Sequence, residues 1–223
     1  MGAGYLAVDR VEAGASRHRL GVALVRAAVD WRRAGLEVIP AATAAALVAT
    51  YLPAQHRDDP GEDLTAATEW ATDRVNDAVR LLEPNPSGWR AFDYLVDHYT
   101  AAGLPLPDRA WRELAAAEAP PGALAAVGYN AYQSDRLMEA EQLWRRAVDL
   151  GDAGAMSNLG VLLARRGETG EAEQLWRRAV DLGHAGAMSN LGNLLAERGE
   201  TGEAEQLYRR AVDLGAAGAM SGG

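Results

Sequence analysis

EAEQLWRRAVDLG runs from Glu139 to Gly151, recurs unchanged from Glu171 to Gly183, and returns as EAEQLYRRAVDLG from Glu203 to Gly215. Successive copies start 32 residues apart. A fixed period of this size marks a stacked array, in which no unit can bury its apolar face alone and each must lean on its neighbours. Such an array offers surface rather than chemistry.

Two helical patterns fill each unit, as the stretch from Ala153 to His184 shows. Met156, Leu159, Leu162 and Leu163 share one stripe of a 3.6-residue period, and that helix should stop near Gly167. Thr169 is the expected N-cap of the second helix. Glu171 and Glu173 lie in its first turn, where carboxylates complement the positive helix end. Ala172, Leu175, Trp176, Ala179 and Val180 form its buried stripe, and Gly183 sits where a left-handed C-terminal cap belongs. Glu173 and Arg177 form an i, i+4 pair on the outer face, worth about 0.2 to 0.5 kcal/mol. Arg178 and its equivalents read as solvated. Gly160 and Ala172 are small enough for close helix approach, with Trp176 filling the gap between neighbouring pairs.

Counted from Ala153, the unit carries Leu159 and Gly160 at positions seven and eight, Leu163 at eleven, Gly167 at fifteen, Ala172 at twenty, Trp176 at twenty-four and Ala179 at twenty-seven. This pattern resembles the tetratricopeptide repeat, and GHAGAMSNLG with WRRAVDLG is also similar to the Sel1-like variety. The unit is slightly shorter than the usual tetratricopeptide length of about 34 residues. Val127, Gly128, Ala140, Trp144 and Ala147 place a more degenerate unit from Pro121 onward. The expected units are therefore 121–152, 153–184 and 185–216, with a truncated fourth from 217, where AGAMS restarts a first helix before two closing glycines. No capping helix follows, so the chain reads as a fragment with Leu207 and Tyr208 partly uncovered.

The resemblance implies a concave wall built from the first helices. Its groove-facing positions fall on Tyr129, Tyr132 and Gln133, then on Asn158, Val161 and Arg165, then on Asn190, Asn193 and Glu197. Asparagine amides both donate and accept, which suits an extended peptide backbone. The competing reading of Asn158 and Asn190 is a hydrogen bond to a neighbouring helix. Carboxylate-clamping repeats carry basic residues at positions two and five. Here Gly154, Ser157, Gly186 and Ser189 stand there, which disfavours that ligand class.

Composition bounds the rest. The chain has 223 residues, 48% of them hydrophobic, and no cysteine, so disulfides and thiolate metal sites are excluded. All 22 basic residues are arginine. The absence of lysine removes a P-loop lysine, Schiff-base chemistry and a lysine general base. A net charge of −9 disfavours unspecific nucleic-acid and anionic-membrane binding. The N-terminal MGAGYLAVDRVEAG is no signal peptide, and no run approaches the roughly 20 apolar residues of a membrane span. These features point to a cytoplasmic protein.

Residues 1–119 read as a separate helical domain, and 120–223 as the repeats, with Pro120 and Pro121 at the boundary. Leu20, Leu24, Ala27, Ala28 and Trp31 share one face of a helix that Gly35 stops. Pro40 opens a second helix that reaches Tyr51, and a third covers Leu64 to Thr72. Val79 to Leu82 and Trp89 to Ala91 flank a PNPSG turn and read as a short β-hairpin. Further helices follow at Phe92 to Ala102 and Asp108 to Glu118. The fold class is thus mainly α: an α-solenoid of helix-turn-helix repeats, preceded by a small helical domain with a short hairpin.

Three helices and a hairpin form the order of a winged helix, which would engage DNA phosphates through Arg32, Arg33 or Arg74. The acidic balance favours a packing module instead. The succession VRAAVDWRRAGL, AALVATYLP, LTAATEWAT, AFDYLVDHY and AWRELAAAEAPPGALAAVGYNAY resembles a segment of actinobacterial regulators, in which an NTPase of the STAND signalling type precedes tetratricopeptide repeats. No GxxxxGK[ST] occurs in this chain, so the resemblance carries no nucleotide site over.

Catalytic constellations are missing from the sequence. His18, His56, His98 and His184 are scattered without HExxH or metal-ligand spacing, and there is no GxSxG elbow. Asp58, Asp59, Glu62 and Asp63 lack calcium-loop spacing and read as a solvated loop. His184 takes the place of Asp152 and Ala216 in the other copies and reads as a turn residue. The expectation is a non-enzymatic, cofactor-free and metal-free module that binds protein or peptide. It would be the partner-sensing C-terminal part of a signalling NTPase regulator with an upstream NTPase domain. The alternatives are an intramolecular autoinhibitory scaffold for that NTPase and a DNA-binding winged helix.

Overall fold

Gly167 and Gly183 take left-handed backbone, with φ of +84° and +80°, and so end helices where the sequence places the stops. The computed structural model describes residues 2–221, and the chain divides into two compact units, Met1–Ala117 and Glu118–Gly223.

The first unit is arranged around one helix. In chain order it contains α1 (Ala3–Gly14), α2 (Arg19–Arg33), β1 (Ile39–Pro40), α3 (Ala41–Tyr51), α4 (Leu64–Thr72), β2 (Arg74–Val75), β3 (Val79–Arg80), β4 (Leu82–Asn85), β5 (Gly88–Ala91), α5 (Asp93–Ala101) and α6 (Asp108–Ala116). Helix α2 buries Ala23, Val25 and Val29 as well as the expected Leu20, Leu24, Ala27, Ala28 and Trp31. It is apolar on nearly every side because α1, α3, α4, α5, α6 and β5 all pack on it. The expected order of three helices and a hairpin is present as α2, α3, α4 and β4–β5. The hairpin pairs Leu82 with Ala91 and Asn85 with Gly88, and β1 adds to its far side to give the sheet order β1-β5-β4. Gly88 permits that third strand, since a Cβ there would lie 1.9 Å from the Ile39 carbonyl oxygen. Val79–Arg80 is not part of the hairpin; it turns back to pair with Arg74–Val75.

Side-chain caps appear where the sequence reads as loop. Glu62 accepts from the backbone N–H of Leu20 at 2.7 Å and of Gly21 at 3.2 Å, capping α2 from 41 and 42 residues away. Asp63 accepts from Ala66 N–H at 2.8 Å and caps α4. Half of the acidic cluster 58–63 is therefore helix-capping rather than merely solvated. Asp30, in the last turn of α2, is buried, accepting from Arg33 Nη1 at 2.7 Å and from the Tyr51 hydroxyl at 2.9 Å.

The second unit is an α-solenoid of three helix pairs: α7 (Pro121–Gln133) with α8 (Leu137–Asp149), α9 (Ala153–Arg165) with α10 (Thr169–Asp181), and α11 (Ala185–Glu197) with α12 (Thr201–Ser221). Inside each pair an aromatic ring lies on a glycine. A Cβ on Gly128, Gly160 or Gly192 would fall 2.6 Å, 2.4 Å or 2.7 Å from Trp144, Trp176 or Tyr208 respectively. Trp176 thus belongs first to its own pair, and its indole N–H donates to the Ser157 carbonyl at 3.1 Å.

Three expectations at helix ends are corrected. Thr169 is the first residue of α10 rather than its cap, because Glu168 holds the flanking position without a side-chain bond. His184 is a true N-cap: its Nδ1 accepts from Ala187 N–H at 3.1 Å, as Asp152 Oδ1 accepts from Ala155 N–H at 2.7 Å. The fourth unit does not start at 217, since α12 continues unbroken to Ser221. Leu207 is 5% exposed, so it is covered within its own pair; the closing Gly222 and Gly223 lie outside the described residues.

Candidate functional site

The first helices α7, α9 and α11 touch along the stack, and each carries three of the nine expected groove positions. Val161, Arg165, Asn190, Asn193 and Glu197 come together around a cleft of about 480 Å³ between α9 and α11. Trp176, Thr169, Ala164 and Leu194 complete its wall. A second cleft of about 490 Å³, between the first two pairs, is lined by Tyr132, Gln133 and Arg165 together with Asp135, Leu137, Leu162 and Arg166. Arg165 belongs to both and joins them. Tyr129 and Asn158 line neither; Tyr129 is 48% exposed and Asn158 is half-buried.

Several of these side chains already hold one another. Arg165 Nη1 donates to the Tyr132 hydroxyl, and its guanidinium carbon lies 5.8 Å from that ring's centre. Gln133 Nε2 donates to the Tyr129 hydroxyl at 2.6 Å. The Tyr208 hydroxyl donates to Asn193 Oδ1 at 2.8 Å, leaving the Asn193 amide N–H groups on the exposed side. Asn190 Nδ2 donates to Ser157 Oγ of the preceding pair at 3.3 Å, so this asparagine does bond to a neighbouring helix. Asn158 stands one period earlier, where Ala125 replaces Ser157 and provides no hydroxyl. The walls are therefore preorganised by bonds within and between pairs, while Val161 and Leu194 supply apolar floor.

A second repeating constellation runs along the other helices. Glu141 meets Arg145 at 2.9 Å and Arg166 of the next pair at 2.5 Å, while Arg145 reaches Glu171 at 2.8 Å. One period later Glu173 meets Arg177 at 3.0 Å and Arg198 at 2.5 Å, and Arg177 reaches Glu203 at 2.8 Å. The expected i, i+4 pair is thus one rung of a ladder that joins successive pairs. The Arg198 hydrogen bond, opposed by slight desolvation and reinforced by Arg177, holds the Glu173 carboxyl below the usual carboxylate range.

In the first unit, Arg32 donates to the Ala91 carbonyl at 2.9 Å and to Asp93 at 2.5 Å, and Arg33 donates to Asp30 at 2.7 Å and to the Leu104 carbonyl at 2.6 Å. Both side chains are nearly buried, at 12% and 10% exposure, so of the three expected phosphate contacts only Arg74 remains exposed. Helix α4, which precedes the hairpin, carries Glu69 and no basic residue. Among the described residues, no three His, Cys, Asp or Glu side chains are grouped so as to hold a metal ion, and no helix is long and apolar enough to cross a membrane.

Residues 153–183 and 184–216 each match the tetratricopeptide repeat family model. Those two segments are the second and third helix pairs, the part of the chain in which the 32-residue period is cleanest. No curated protein matches the chain. Among solved structures, the crystal structure of MamA is similar at 21% identity with a TM-score of 0.44, over 56% of this chain and 76% of that one. A likeness this distant says nothing about partners.

Proposed function

We propose that the helix-pair array is a non-catalytic, cytoplasmic protein-interaction module that holds an extended peptide along α9 and α11. The single observation that carries this reading is the cleft in which Val161, Trp176 and Leu194 supply apolar contact beside the exposed amide of Asn193 and the charges of Arg165 and Glu197. An extended main chain needs donors and acceptors at intervals together with shallow apolar pockets. Bonds such as Tyr208 to Asn193 fix the wall beforehand, which reduces the ordering cost of binding. The resemblance of the N-terminal half to STAND-type regulators extends the proposal: the array senses a partner on behalf of an upstream NTPase domain.

Peptide ligands selected from a displayed random library against the intact chain test the reading. Binding measured by fluorescence anisotropy should weaken at least about tenfold, or roughly 1.4 kcal/mol, in Asn193→Ala and in Val161→Glu. Glu139→Gln, on a different helix face, should leave it unchanged. Recovery of peptides indifferent to both groove changes would move the site elsewhere. Recovery of none would favour the restraining scaffold, in which the array packs against its own NTPase.

A further inference from the structure

The two cleanest copies of the unit differ where the cleft between α9 and α11 is built. Residues 153–184 and 185–216 diverge at four positions: Val161 against Asn193, Arg165 against Glu197, Trp176 against Tyr208, and His184 against Ala216. The fold accepts either residue of the first three, since both pairs keep the same helices and the same contact of ring on glycine. Yet Val161, Arg165, Trp176, Asn193 and Glu197 all line that one cleft, and the Tyr208 hydroxyl holds Asn193. These differences set what the cleft presents, not whether the helices stack. What it presents is two unlike charges. Arg165 and Glu197 are both exposed, and among the described residues neither forms an ion pair. Their chain neighbours Arg166 and Arg198, by contrast, reach Glu141 and Glu173 at 2.5 Å in each case. Arg165 gives one N–H to the neutral Tyr132 hydroxyl and keeps its charge and its other donors. Glu197 stands one period later, where Ala164 takes the place of Tyr132 and offers no donor.

We infer that the cleft selects a dipolar segment: an extended peptide with an acidic side chain for Arg165, a basic one for Glu197 and an apolar one for Val161 and Leu194. The inference rests on the peptide-binding reading above and adds the chemistry of the ligand. Helices in contact lie about 8 to 10 Å apart, a span that an extended chain covers in about three residues. Arg165 and Glu197 hold equivalent places on the two helices, so the acid and the base of the ligand share that spacing. A segment with two acids or two bases satisfies one end of the cleft and is repelled at the other. Apolar contact supplies affinity, and the exposed charges decide which segment is accepted.

Short synthetic peptides test the inference against the full chain by fluorescence anisotropy at low salt. Each has a central leucine between two variable positions at that spacing, filled as Asp and Arg in both orders, as two Asp, as two Arg, or as two Gln. The better of the mixed peptides should bind at least about fivefold more tightly than the doubly acidic, doubly basic and neutral ones. Arg165→Glu should transfer the preference to the doubly basic peptide, and Glu197→Arg to the doubly acidic one, with circular dichroism verifying that each variant keeps its helices. A preference that the two reversals fail to transfer overturns the inference. Binding that Asn193→Ala and Val161→Glu weaken, but that ignores charge in peptide and protein alike, overturns it and leaves the groove reading standing. Binding that none of the four substitutions changes overturns both, as does failure of every peptide to bind.

Discussion

Asp30 shows how a residue can be invisible to pattern reading and still govern a unit. It lies inside the apolar run of α2, where the sequence offers no reason to bury a carboxylate. Its partner Tyr51 comes from another helix, so the hydrogen bond exists only in three dimensions. Burial pushes the Asp30 carboxyl above its usual value, with Arg33 and then Tyr51 opposing, and burial together with the Asp30 charge pushes the Tyr51 hydroxyl up as well. Folding therefore favours the protonated acid. The resulting stability is fully present below the unfolded value of about 3.9 and declines as pH rises through the raised folded value. Urea unfolding followed by tryptophan fluorescence should show this decline in the native chain and not in Asp30→Asn. Tyr51→Phe should cost about 1 to 3 kcal/mol by the same measurement, because it removes a donor from a buried carboxylate.

At the scale of the element, helix starts separate what could be read from what could not. The stops at Gly167 and Gly183 were legible because only glycine tolerates that backbone cheaply. The starts were not, because a cap is defined by where a side chain points. His184 illustrates the difficulty: variation between copies argues for an idle position, yet aspartate and histidine perform one task there. Asp152→Ala should lower stability by about 1 kcal/mol in thermal unfolding, the usual effect of losing an N-cap acceptor. Glu62 was less legible still, since it caps α2 across more than forty residues of sequence. The hairpin was seen in outline from its turn residues. Its third strand was not, because two residues at Ile39–Pro40 carry no period.

For the whole molecule, the period of 32 residues announced the stack, and the apolar stripes gave the faces that meet. The groove positions followed from the likeness to tetratricopeptide units, and the structure gathers five of the nine around one cleft. The contacts between pairs were unread, although every residue of the ladder was in view. Spacings of 25 and 26 residues, as in Arg166 to Glu141 and Arg145 to Glu171, acquire meaning only after the pairs have stacked. The ladder predicts an acid response opposite to that of Asp30. Glu141 and Glu173 both titrate below their ordinary value, so their contribution is present above about pH 4.3 and is lost as pH falls through the lowered folded value. Hydrogen exchange along an acid series should therefore show α8 and α10 loosening as α2 gains protection. Added salt should weaken the ladder helices in the same way, by no more than about 1 kcal/mol per exposed pair.

Because each rung is identical to the next, the array is indifferent to how many rungs it has. A duplicate of residues 153–184 inserted after position 184 would meet the same arginine below it and the same glutamate above it that its neighbours meet now. Lengthening would thus need no redesign, and the melting temperature should climb with each added module, as a sum of nearest-neighbour terms requires.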